Sequence, residues 1–296
     1  MWAIKGYERF FLLNMIRESF ANKYNDEVRG IVHELFKICK KTMLHPGDLL
    51  VCQQNGFIGL GTPCIGMGET GYNYFKQLNQ IVFPGLGVMS NDDNCFVKSK
   101  NIIFDGTTEF EKSVECEMHR YQLIWENGFF LRILKEISHI LNSEHYDWEL
   151  DIDSKTKNTR SNYIKDAIIA KYYKAPNFQQ LLNQAYNRDL RNAISHTQYN
   201  LVQGGIVLIN IKGDKEHPFY GISFEQWEEI YSKAWFLLRY IFGGLKDIME
   251  QFYVPLTRET HSGGIPIIVP NDKQKWRETY VYYFERGNRW IFHKPE

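Results

Sequence analysis

The densest chemistry in the chain lies in one segment, Asn187-Arg-Asp-Leu-Arg-Asn-Ala-Ile-Ser-His196. Wound as a helix at about 100° per residue, it places Leu182, Tyr186, Leu190, Ala193 and Ile194 on one side. Arg188, Arg191, Asn192, Ser195 and His196 gather on the other, within an arc of about 140°. Two cations, an amide, a hydroxyl and an imidazole then share one patch. Guanidinium groups hold phosphate oxygens through parallel N–H donors. Histidine changes charge near neutral pH and moves protons. The patch therefore predicts proton transfer at a phosphate. A solvated polar helix face is the plainer alternative, and the crowding of functional groups argues against it.

The string Arg191-Asn192-Ala193-Ile194-Ser195-His196 resembles the signature of the HEPN-domain endoribonucleases. That signature is an arginine, commonly a polar residue next, and a histidine after four to six intervening residues. Arg132 with His139 and Arg286 with His293, each with six intervening residues, also fall within the allowed range, but neither arginine is followed by asparagine. Arg132 and His139 are the reserve pair, because seven residues along a helix also return to one face. The resemblance is strong over 177–250, extends loosely to the first two helices, and does not cover 46–106 or 255–296.

The resemblance implies a homodimer whose two motifs meet in a cleft, and catalysis without a metal or other cofactor. The RNA 2′-hydroxyl attacks the adjacent phosphorus and leaves a 2′,3′-cyclic phosphate and a 5′-hydroxyl. His196 would transfer protons, Arg191 would stabilise the phosphorane-like charge, and Asn192 would orient the histidine or the phosphate. Arg188 and Ser195 lie outside the family pattern and are candidate RNA contacts. Family members of this kind serve as toxins or abortive-infection effectors in antiviral defence, cutting tRNA or mRNA, some under an antitoxin or regulatory partner. Two other readings stay open. One is a non-catalytic HEPN-like module that binds RNA, nucleotides or protein. The other is a structural dimer in which Arg191 and His196 hydrogen-bond each other.

A second basic feature runs from Lys155 to Lys174, with Lys155, Lys157, Arg160, Lys165, Lys171 and Lys174 against Asp166 alone. Tyr163, Tyr172 and Tyr173 interleave with them. Cations that track a phosphate backbone and aromatics that stack on unpaired bases make an RNA surface, with Lys165, Lys171 and Lys174 as contacts. A solvated surface with two core tyrosines fits the same pattern. Gly59-Leu-Gly61 lacks the Lys-Ser/Thr ending of a phosphate-binding loop. The other histidines show no metal-ligand spacing. Glu115, Glu117 and His119 read as a wet helix face, and the cysteines as buried small hydrophobes.

These residues must be positioned by a mainly α chain. Its 296 residues, 44% hydrophobic and 15% aromatic, exclude a disordered chain. Lys plus Arg and Asp plus Glu number 35 each, so any nucleic-acid site is a local patch. Five cysteines without a C-x-x-C pair fit a reducing, cytoplasmic setting. No signal peptide or membrane span is expected.

Periodicity predicts a helix over 4–43, with Asn25-Asp26 as a candidate kink and His45-Pro46-Gly47 as its end. A capping box at Thr108 and Glu111 opens a helix to about 142, with Gly128 near its middle. A third helical stretch covers 161–201, broken near Ala175-Pro176. Ile206 to Ile209 reads as a strand leading to a hairpin turn near Asp214 and Lys215. Ser223 and Gln226 form the capping box of a fourth helix. Its stretch Ala234–Phe242 is apolar on nearly every side and predicts burial on more than one face, including a subunit interface. Residues 46–106 hold ten of the 22 glycines and are expected to be an ordered insertion with short strands. The tail predicts strands at 265–269, 280–284 and 290–292. The expected organisation is a HEPN-like helical bundle over 1–254, with a Gly-rich insertion at 46–106 and a small β-rich segment at 255–296.

Overall fold

The computed structural model describes residues 3–53, 109–145, 160–202, 204–210, 220–259, 263–270, 276–284 and 289–291. Helix α1 spans Ala3–Thr42 without a break at Asn25-Asp26. Tyr24, Val28, Val32, Leu35, Phe36 and Cys39 form its buried stripe, at the three-to-four spacing of one helix face. Beyond α1, the Asp48 carboxylate accepts from the backbone N–H groups of Leu44 at 2.9 Å and His45 at 3.0 Å. Gly47 is required there, because a Cβ would sit 2.3 Å from the Ile267 side chain.

Helix α2 (Asp48–Gln53) opens the stretch 46–106, in which short strands are expected. Leu49, Leu50, Val51 and Cys52 are all buried, so its start is part of a helical core. The rest of the insertion, with Gly59, Gly61 and the Thr108 cap, lies outside the described residues.

The helix expected to run through Gly128 is two helices, α3 (Glu109–Glu126) and α4 (Gly128–Asn142). Asn127 and Gly128 are both poor helix residues, and together they end one helix and start the next. A helical stretch at Arg160–Asn162 continues as a π-helical turn, Tyr163–Ile168, and a 3-10 turn, Ile169–Tyr172. Pro176 then opens α5 (Pro176–Ala185), where its fixed φ suits the first helical position. The predicted continuation to 201 does not occur. Helix α6 (Arg188–Ser195) is separate, and 199–202 is strand rather than helix.

Helix α7 (Phe224–Ile248) begins at the expected capping box. Ser223 donates its N–H to Gln226 Oε1 at 2.9 Å, and Gln226 donates its N–H to Ser223 Oγ at 3.2 Å. Every residue from Tyr231 to Leu238 is buried. That burial is achieved within one chain, so this part of the helix presents no open face to a second copy. A π-helical turn, Met249–Tyr253, and helix α8 (Val254–Glu259) follow.

Strands β1 (Tyr199–Val202), β2 (Gly205–Leu208) and β3 (Tyr220–Ser223) form one antiparallel sheet in that order. Strands β4 (Gly264–Pro270), β5 (Trp276–Phe284) and β6 (Arg289–Ile291) form a second. The tail is thus β-rich as expected, after one further helical turn. Among the described residues, no helix is long and apolar enough to cross a membrane.

The chain divides into two units, each built from three separated segments. The first comprises 1–30, 74–127 and 180–238. Its core includes Met118, Tyr121, Ile124, Trp125, Leu182, Leu190, Ile206, Ile222 and Trp227. Lys233 is buried there and donates to Gln184 at 2.9 Å and Glu229 at 2.7 Å, which answers its charge. The second unit comprises 31–73, 128–179 and 239–296. Tyr172 donates to the Leu134 carbonyl there at 2.5 Å, and Tyr253 to the Pro46 carbonyl at 2.6 Å. Burial pushes the Cys39 thiol up to about 12 and the Cys52 thiol well above its ordinary value.

Candidate functional site

The candidate residues of the arginine–histidine motif belong to α6 and its C-terminal cap, within the first unit. An isolated helix of eight residues is not stable in water. Three features hold this one. At its start, the Asn187 side chain accepts from the N–H groups of Asp189 and Leu190, both at 3.0 Å. The N–H of Asn187 itself donates to the buried Tyr121 hydroxyl at 2.8 Å. Along its length, Leu190, Ala193 and Ile194 are buried, and α6 packs on α3 and β2.

At its end, Thr197 donates to the Ile194 carbonyl at 3.2 Å and Gln198 to the Ala193 carbonyl at 2.8 Å. This is the Schellman arrangement, which needs a residue with positive φ. Glycine usually takes that place. Here it is Thr197, at φ 54°. A β-branched residue in the left-handed region is strained, and such strain concentrates at functional sites.

The polar residues of the motif divide into a fixed group and a free one. Arg191 pairs with Glu126, the last residue of α3, through Nη2 and Oε1. Its Nη1 donates to Asn192 Oδ1 at 3.0 Å. Ser195 Oγ donates to the same Glu126 oxygen at 3.0 Å. The Arg191 side chain is 11% exposed and that of Glu126 is 28% exposed. Two motif residues therefore meet on one carboxylate that the sequence pattern did not include, and Asn192 joins them through Arg191. His196 is the C-cap of α6, is exposed, and makes no hydrogen bond to Arg191. Within the chain, therefore, those two residues do not bond each other.

The predicted surface contacts fall in both units. Arg188 is exposed on the first turn of α6. Ser195 is half-buried and engaged with Glu126, so its hydroxyl is a member of the network before it is an RNA contact. Lys165, Lys171 and Lys174 are exposed but belong to the second unit, apart from the motif segment in the chain's division. Of the interleaved tyrosines, Tyr172 is buried and cannot stack on a base, whereas Tyr173 is 60% exposed. Tyr163 is half-buried, so of the three tyrosines Tyr172 alone is fully buried, against the two core tyrosines expected. In the reserve pair, His139 lies 3.5 Å from Glu136 and 3.8 Å from Glu144, within the second unit. Arg286 and His293 lie outside the described residues.

Glu115 and His119 are exposed on α3, but Glu117 is not part of a wet face. It is buried and accepts from the Trp227 indole N–H at 3.0 Å. Burial drives the Tyr121 hydroxyl far above its ordinary range, so it stays protonated and serves as a fixed hydrogen-bonding group. Among the described residues, no cluster of three or more His, Cys, Asp or Glu side chains is placed to hold a metal ion.

Glu126 was missed because its partner lies 65 residues away in sequence. A signal for it exists once the break at Asn127 is known. A carboxylate on the last residue of a helix faces the negative end of the helix dipole, and it needs a cation to hold it there. Compared with known proteins, the chain matches no protein-family model, no curated protein and no solved structure.

Proposed function

We propose that this chain is a metal-independent endoribonuclease of the HEPN type, acting as a homodimer on RNA. The observation that carries the reading is the division of labour in α6. Arg191, Asn192 and Ser195 are fixed in a hydrogen-bonded group, while His196 stands exposed at the helix end beside a strained Thr197. In the proposed reaction His196 takes the proton of the RNA 2′-hydroxyl. The 2′-oxygen bonds to phosphorus, the bond to the 5′-oxygen breaks, and that oxygen leaves as a hydroxyl once protonated. A 2′,3′-cyclic phosphate remains on the upstream fragment. Arg191 offers five N–H donors, of which Asn192 and Glu126 engage two, and each terminal nitrogen keeps one hydrogen for a phosphate oxygen. In the cell this activity fits a cytoplasmic toxin or anti-phage abortive-infection effector acting on tRNA or mRNA.

The test is cleavage of total cellular RNA by purified protein in excess chelator, with product ends mapped. General acid–base catalysis is worth about 10²–10⁴ in rate, so His196→Ala should lose nearly all activity while keeping its circular dichroism. Intact RNA with folded wild-type protein would overturn constitutive nuclease activity. One observation favours a second reading, a non-catalytic binding module. The Arg191 charge is already answered by Glu126. RNA binding without cleavage, with Arg191→Ala lowering stability but not affinity, would establish it.

A further inference from the structure

We propose that Glu126 is a positioning residue of this site, acting through Arg191 and Ser195. The inference rests on the nuclease reading above for its catalytic consequence, but its structural content is independent of it. One carboxylate oxygen, Oε1, receives both the Arg191 Nη2–H and the Ser195 hydroxyl. These donors lie four residues apart on α6, so a single atom of α3 fixes one full turn of the motif helix. The Arg191 side chain is nearly buried, and its Nε is enclosed without a hydrogen-bond partner among the described residues. A guanidinium held at one end, with an unanswered N–H inside, has few orientations open to it. Freed from Glu126, it would turn to water or to another acceptor.

The placement of Glu126 is unfavourable by local rules. A helix C-terminus repels a carboxylate, and Glu126 ends the 18-residue α3. The pairing with Arg191 offsets that repulsion and orients the arginine at the same time. A neutral glutamine would keep an oxygen at the same place and so retain much of the geometry without the charge. An alanine would keep neither.

Two measurements on the full chain test this. The first is NMR of the arginine side chains, with the Arg191 Nε–H signal assigned by its loss in Arg191→Lys. Slow exchange with solvent is expected in the wild type and in Glu126→Gln, and fast exchange in Glu126→Ala. The second is steady-state RNA cleavage. Losing a donor to a developing oxyanion costs about 10²–10³ in kcat, and a mispositioned donor should cost about tenfold or more. Glu126→Ala is therefore expected to lower kcat at least about tenfold with KM little changed, and Glu126→Gln to recover most of it.

Equal Arg191 exchange in wild type and Glu126→Ala would overturn the proposal. So would kcat unchanged in Glu126→Ala, or raised, which would mark Glu126 as a mask over the arginine instead. If Glu126→Ala does not fold, Ser195→Ala and Glu126→Gln carry the test. Fast Arg191 exchange in Glu126→Gln would then sink it, and unchanged slow exchange together with lowered kcat in Ser195→Ala would support it. A wild-type protein that cleaves no RNA removes the nuclease reading alone, because the exchange measurement still decides whether Glu126 positions Arg191.

Discussion

The N-terminal anchor of α6 gives the sharpest prediction. Two interactions meet at Asn187. Its side chain caps the helix, and its backbone N–H donates to the Tyr121 hydroxyl. Replacing Asn187 by Ala removes the cap and should cost about 1 kcal/mol. Replacing Tyr121 by Phe leaves the Asn187 N–H without its acceptor in a part-buried place, at about 1–2 kcal/mol. Both act on the same end of the same helix, so the double variant should lose less than the sum of the two. The loss should also be local. A cost of about 1 kcal/mol on helix opening raises the open population roughly fivefold. Amide exchange at 190–196 should therefore accelerate by about that factor in each single variant, while exchange in α4 follows only the change in global stability. Urea melts supply the global figure, and Asn187→Asp should restore the wild-type value. Unchanged exchange at 190–196 in both variants, or strict additivity in the double variant, would refute the claim that these bonds hold the motif helix.

Three further outcomes are expected. Thr197→Gly removes a left-handed β-branched residue and should raise stability by about 1 kcal/mol in urea melts, whereas a loss would mean that the threonine side chain makes a needed contact. Burial, the largest influence on Asp48, raises its carboxyl above the ordinary 3.8, against weaker lowering by the His45 and Leu44 N–H groups and by the charges of His45 and His145. The folded chain therefore holds that proton more tightly than the unfolded one, and stability falls as pH rises from about 4 through the raised value. Asp48→Asn keeps an oxygen for the Leu44 and His45 N–H groups and should flatten that part of the stability-against-pH curve; an identical fall would refute it. Cys39 and Cys52 should resist iodoacetamide at about pH 8 until denaturant is added, because thiolate is the reactive form; mass spectrometry of the native protein reads this directly, and native labelling of either would contradict the burial.

The mainly helical class, α1, the capped start of α7, and strands β2, β4 and β5 were legible because each has a local signature. Periodic apolar spacing, a Ser-x-x-Gln box and β-branched runs act within a few residues of themselves. The breaks were less legible. Gly128 reads as the middle of one helix, since a glycine inside a periodic pattern is tolerated at a modest cost, yet the helix breaks there. The stop after Ala185 has no glycine or proline, and it is fixed by Tyr121, a residue 66 positions away. The helical beginning of 46–106 is hidden by its glycine-rich sequel, although Leu49, Leu50, Val51 and Cys52 make a short apolar run.

The motif helix shows why a site is harder to read than a fold. Its apolar face, Leu190, Ala193 and Ile194, was set by spacing alone, and burial of that face follows from elementary periodicity. The polar face obeys a different rule. A strict helical wheel places His196 in the same arc as Arg191 and Ser195, yet α6 ends at Ser195 and His196 is its cap. The stop is made by Thr197 at φ 54°, a conformation for which threonine gives no sequence signal. Ending the helix there leaves the imidazole exposed at its cap, while Glu126 holds Arg191 and Ser195. The strain at Thr197 is thus the local cost of ending α6 at Ser195, with its C-cap histidine exposed.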